Sequence, residues 1–303
     1  MSGVQLVRAS SVSWVVLGLL GGCWQDEPAS SESNAPAAAP AGVMIEAKSC
    51  TSAATALPSG WSETLVAAGM TKCVMPFGII IAADAAVPDS YINQAARIVA
   101  EVVDPDRDGV ANDPAVLNYM ANGAHVWLPM PADEDDWSRG TEQALEEALG
   151  SYGIMIPEWW MGDFTEDGPD EHALAVMVEE IIHAFTQFGY GLAYPTVFGV
   201  NDWTSVIAQE TQAAQCAWWQ HPENSCPGSP SEGGDCSSPS CDVSEFYQQV
   251  VVMRAGMTPG WLGIGFPDDA ASLEKKLSDE LKAAIDNPDH NQLRQPLSFK
   301  YPN

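Results

Sequence analysis

The stretch Glu171–Phe188 (EHALAVMVEEIIHAFTQF) constrains this chain more than any other segment. Its apolar residues recur at helical spacing, and Gly189 and Gly191 follow as a stop signal, which predicts one long helix. At about 100° per residue, Glu179 and His183 fall within about 20° of His172, and Glu180 about 80° from it. Ionisable side chains thus share one seam of an otherwise apolar helix, where an unpaired charge is expensive to bury. A rise of 1.5 Å per residue sets Glu179 about 6 Å from His183, near enough to share one ion. By the same measure His172 lies about 16 Å from His183, too far to join them.

The rest of the body supplies short strands first and helices later. Pro76–Asp84, His125–Met130 and Tyr152–Ile156 read as strands; Asp89–Val103, Thr141–Leu149, Asp202–Trp219, Asp242–Met257 and Ala271–Ile285 read as helices. This order predicts an α+β fold, a short-stranded sheet with backing helices followed by a mainly helical C-terminal half, in a single domain over 48–303. Forty-one acidic against 12 basic residues leave a net charge of −29. Such a surface cannot displace counterions from phosphates, so nucleic acid is excluded as a partner, as is electrostatic docking on anionic lipid.

Before the body lies an address. Arg8, a short apolar run and small residues have the order of an export signal, and the run is too short to span a membrane. Leu20-Gly21-Gly22-Cys23 resembles the bacterial lipoprotein lipobox. That resemblance implies a signal peptide over 1–22, lipidation of Cys23, and, with Trp24 following it, an outer-membrane place in the cell envelope. Residues 23–47 are rich in Ala, Pro and Ser and read as a flexible tether. Six cysteines remain: Cys50, Cys73, Cys216, Cys226, Cys236 and Cys241. An even number in an exported chain suits three disulfides, and a Cys50–Cys73 bond would clip the N-terminal edge.

Asp104, Asp106 and Asp108 alternate ahead of Gly109, an arrangement that turns carboxylates inward on a hard cation. The Val110 carbonyl, Asn112 and Asp113 can complete the shell. The segment is similar to the calcium loops of EF-hands, dockerins and thrombospondin type 3 repeats, although Ala115 stands where an EF-hand has its bidentate Glu. Calcium there would pin the junction between two helices, the second beginning near Pro114.

Glu179-Glu180-Ile181-Ile182-His183 resembles the zincin metallopeptidase motif HExxH with Glu in place of the first His. The resemblance implies a zincin-like fold, Glu179 and His183 as ligands of zinc or another divalent transition metal, and Glu180 as the general base. It also implies a third ligand on a following helix. Glu210 is the candidate, with Asp202 and Glu245 as alternatives. A Glu/His/Glu set shifts preference from zinc towards iron or manganese. Glu180 and His183 also fit the i, i+3 pair of di-iron bundles, but no other His has a Glu three residues before it. The expected function is a metal-dependent, peptidase-like hydrolase acting on peptide or protein; the competing class is a non-catalytic calcium-binding envelope lipoprotein. The pairs Trp159-Trp160 and Trp218-Trp219 offer a contact surface, or one ring each to the core and one to its rim.

Overall fold

The computed structural model describes residues 43–132, 137, 139–156, 168–219 and 239–301. The signal segment, Cys23, most of the tether, Cys226, Cys236, Trp159 and Trp160 lie outside them. Five strands, β1 (Lys48–Ser49), β2 (Met70–Val74), β3 (Ile81–Asp84), β4 (Val126–Met130) and β5 (Tyr152–Gly153), form one sheet in sequential order. The first three pair antiparallel; β3–β4 and β4–β5 are parallel. Parallel pairing needs covered faces, and here alternation delivers two. Ile81, Ala83, Val126, Leu128 and Met130 enter the main core, while Ile80, Ala82, Trp127 and Cys73 enter a smaller one behind the sheet.

The smaller core is closed by α1 (Trp61–Ala67) and by α4 (Arg139–Leu149), which supplies Leu145 and Leu149. The expected disulfide Cys50–Cys73 is present there and ties β1 to β2. On the other face α2 (Asp89–Val103) buries Ile92, Ala95, Ala96, Ile98 and Val99. Beyond it α3 (Pro114–Met120) begins at an Asp113 cap. The helical half then stacks outward: α5 (Glu171–Ala184) packs on α2, and α9 (Pro239–Arg254) packs on α5 and on α8 (Val206–Ala217). Short helices α6 (Gly191–Ala193) and α7 (Pro195–Phe198) join α5 to α8, and α10 (Ala270–Glu274) and α11 (Asp279–Asp286) follow α9. The protein is thus mixed α/β, with strands early and helices late.

Several boundaries moved for identifiable reasons. The long helix does not stop at its glycines; it continues through a π-helical stretch, Phe185–Tyr190, into α6. Gly189 serves close packing instead, since a Cβ there would meet Val116 Cγ1 at 2.9 Å. Pro76–Gly78 is a tight turn with Phe77 at φ 52°, so only Ile81–Asp84 of that segment is strand. Ser205 caps α8 and Ser278 caps α11, which shortens one expected helix and divides another. Ile45 is buried and the Ala47 amide donates to Asn93 Oδ1 at 2.7 Å, so order reaches back into the segment read as tether.

The segment 298–300 docks on α2. Glu101, 2% exposed on α2, accepts from the amides of Ser298 (2.6 Å) and Lys300 (2.7 Å) and from Ser298 Oγ (2.7 Å).

Candidate metal centres

Glu179 and His183 stand one turn apart on α5, and α9 carries Glu245 against them. One ligand atom from each lies within 4.8 Å of the other two. The imidazole is buried; its Nε2 is 3.5 Å from Glu245 Oε2 yet makes no hydrogen bond of good geometry. Its Nδ1 faces Glu180 Oε2 at 3.4 Å. Glu180 therefore lies behind the ring, on the nitrogen turned away from Glu245.

Glu210 does not join this group. On α8 it accepts the Ser278 amide at 3.0 Å and anchors the start of α11. Asp202 accepts from the Thr204 amide at 2.8 Å and holds its own turn. Of the three carboxylates considered for the third position, Glu245 is the one that α9 brings to His183, because α9 rather than α8 packs on α5.

The electrostatics match that crowding. Burial pushes the Glu179 carboxyl up to about 8; His183 pulls it down, and the neighbouring Glu245 and Glu180 raise it further. Burial likewise raises Glu180. For His183 burial works to lower the pKa, but Glu245 and Glu180 outweigh it and hold the ring well above its usual range. The metal-free cluster thus retains protons, which a divalent cation would release on binding. Gly260 backs the site: a Cβ there would collide with Glu179 Oε2 and lie 3.2 Å from the Ala175 backbone.

The acidic loop is built differently. Ligand atoms of Asp104, Asp106 and Asp108 also lie within 4.8 Å of one another. The bend is made by Arg107 (φ 60°) and Gly109 (φ 86°). Asp104 is fully buried, and its oxygens accept from the Asp108 amide (3.2 Å), the Gly109 amide (2.8 Å) and the Tyr301 hydroxyl. Burial would raise its pKa, but those hydrogen bonds, with one from Asp106, hold it below the ordinary range. Asp106 is raised, chiefly by its hydrogen bond to Asp104.

Asp113 departs from the ligand role expected of it. Its Oδ1 caps α3 through the Ala115 and Val116 amides (3.0 and 3.1 Å), and its Oδ2 accepts from Tyr194 at 2.8 Å. The Val110 amide donates to Asp108 Oδ1 at 2.8 Å, and the Asn112 amide to the Val103 carbonyl at 3.0 Å.

One residue of the helical centre escaped the sequence reading. Gln248, fully buried on α9 beside Glu179, has neither amide atom in a hydrogen bond of good geometry among the described residues. The only hint was a polar Gln248-Gln249 pair within Phe246–Met253; Gln249 is spent on the Gly263 amide. Elsewhere, Trp219 is buried in the core and Trp218 lies at its rim beneath Lys276. Cys216 and Cys241 are both disulfide-bonded.

The arrangement offers two carboxylates and an imidazole to one cation, a donor set suited to a divalent transition metal, and three aspartates to another. No family model, curated protein or solved structure matches this chain.

Proposed function

We propose that this chain is an exported, lipid-anchored envelope protein that holds a divalent transition-metal ion between α5 and α9 and carries calcium in its acidic loop. The convergence of Glu179, His183 and Glu245, with His183 Nε2 buried and lacking a hydrogen bond, supports the metal centre most directly. A buried polar atom that lacks a hydrogen bond costs about 1–3 kcal/mol, and ligation through the Nε2 lone pair removes that cost. Glu180 on Nδ1 fits a carboxylate that fixes ring orientation and raises ligand basicity. The lipobox at Leu20–Cys23 supports the anchor, and the spacing of Asp104, Asp106 and Asp108 supports calcium.

A second reading, metal-dependent hydrolysis of peptides on a zincin-like scaffold, draws on the EExxH motif and on the ligand count. Three protein ligands leave a position open for water, the arrangement of catalytic rather than closed structural sites. Glu180, the base implied by that resemblance, lies on the far side of His183, which favours metal retention over catalysis.

Elemental analysis of the desalted mature protein tests the centre. Wild type is expected to retain about one equivalent of transition metal and Glu245→Gln very little; metal-free wild type after reconstitution would contradict it. Glu180→Gln then separates the two readings. Cleavage of an unfolded protein substrate by wild type, lost in this variant with metal retained, would favour hydrolysis. No cleavage by either leaves the binding role.

A further inference from the structure

Gln248 lies three residues beyond Glu245 on α9, on the side of the helix that faces α5. It is 0% exposed, and among the described residues neither its Oε1 nor its Nε2 makes a hydrogen bond of good geometry. Its side chain reaches the Glu179 carboxylate and favours the charged form of that group. A buried primary amide whose hydrogen bonds are incomplete is costly for a core to hold. Leu or Met would fill the same volume at no such cost, so packing does not account for the glutamine.

A cation among Glu179, His183 and Glu245 resolves three orphan atoms together. His183 Nε2 and Gln248 Oε1 become donors to the ion, and Gln248 Nε2 is left to donate to the Glu179 oxygen that does not ligate. The Glu179 and Glu245 carboxylates balance the charge of a divalent ion, and Glu180 stands behind the ring on Nδ1. One nitrogen and three oxygens form a hard donor set, intermediate between the imidazole-rich sites of zinc and the all-oxygen sites of magnesium and calcium.

We propose that Gln248 is a fourth metal ligand through its amide oxygen, and that the centre is built for manganese(II) or iron(II). This rests on the metal-centre reading above and adds to it a ligand and a metal class.

The test is titration of the EDTA-stripped mature chain with manganese(II), in saturating calcium to occupy the acidic loop, reading the paramagnetic resonance of free ion. Zinc affinity is measured in parallel by competition with a chromophoric chelator. Wild type is expected to take up about one equivalent of manganese. Gln248→Met, which keeps volume but removes the hard oxygen, should weaken manganese by about tenfold or more and zinc far less. Gln248→Glu, which restores an oxygen, should bind manganese at least as tightly as wild type, and it carries the test if the Met variant does not fold. Unchanged manganese affinity in Gln248→Met overturns the proposal while leaving the three-residue centre intact. Equal weakening of both metals also overturns it, by reducing Gln248 to a packing role. Failure of wild type to bind either metal refutes the underlying centre instead.

Discussion

The acidic loop and the helical centre contain the same chemistry, three ionisable groups within 4.8 Å, but their atoms are satisfied in opposite ways. In the loop the buried Asp104 already has its donors: two backbone amides and the Tyr301 hydroxyl. In the centre His183 Nε2 and both amide atoms of Gln248 are buried without a hydrogen bond of good geometry among the described residues. The loop can therefore hold its shape without an ion, and a cation there only adds to it. The centre stays incomplete until something binds. A carboxylate cluster alone is poor grounds for a site; buried polar atoms left unsatisfied beside it are better ones.

That contrast can be broken by substitution. Asp104→Ala leaves the buried Tyr301 hydroxyl and two loop amides without their acceptor and should cost about 3 kcal/mol in denaturant unfolding, with calcium or with EDTA. A loss confined to calcium buffer would show that the ion, not the protein, organises the loop. Gly260→Ala should weaken metal at the helical centre by about tenfold, roughly 1.4 kcal/mol, by displacing Glu179, and metal titration reads it. Unchanged affinity would mean Glu179 does not ligate. Asp106→Ala with Asp108→Ala should lower the unfolding midpoint in calcium and leave it almost unchanged in EDTA, because these side chains are exposed. An equal loss in both buffers would remove calcium from the loop.

The pH dependence is a matter of sign. Glu179 moves from an ordinary 4.5 to about 8 in the fold, so between those values the folded chain binds a proton that the unfolded chain has released. Metal-free stability should then fall as pH rises across that window. His183, also raised, acts in the same direction: its contribution is full below its ordinary 6.5 and is lost as pH rises through its higher folded value. Asp104, held below 3.8, acts oppositely, stabilising above that value and failing in acid. Denaturant unfolding in EDTA across pH 3–9 should therefore fall away on both sides. Glu179→Gln should flatten only the alkaline limb, and a slope left unchanged would remove Glu179 as its source.

Local signals in the sequence were followed closely. Asp89–Val103 is helical over the expected span because its apolar face is dense and Asp104 ends it in a turn. The Asp104–Asp108 cluster and the Cys50–Cys73 bond are short-range features that spacing alone could suggest. Distant matters were not legible. Glu210 and Glu245 are equally plausible along the chain, and only the docking of α9 on α5 chooses between them. Gly189 looks like a helix stop, yet α3 needs its missing side chain more than α5 needs an end. The placement of Glu180 behind the imidazole depends on a rotamer that periodicity does not specify. Strand β2 (MTKCV) is too short and too polar to announce itself, and exists because β1 and β3 flank it.

The most direct test is a crystal structure of the manganese-soaked mature protein with data collected at the metal absorption edge. The account predicts an anomalous peak bounded by Glu179, His183 and Glu245, about 2 Å from the donor atom of each. A peak confined to Asp104, Asp106 and Asp108, or none between α5 and α9, would contradict it.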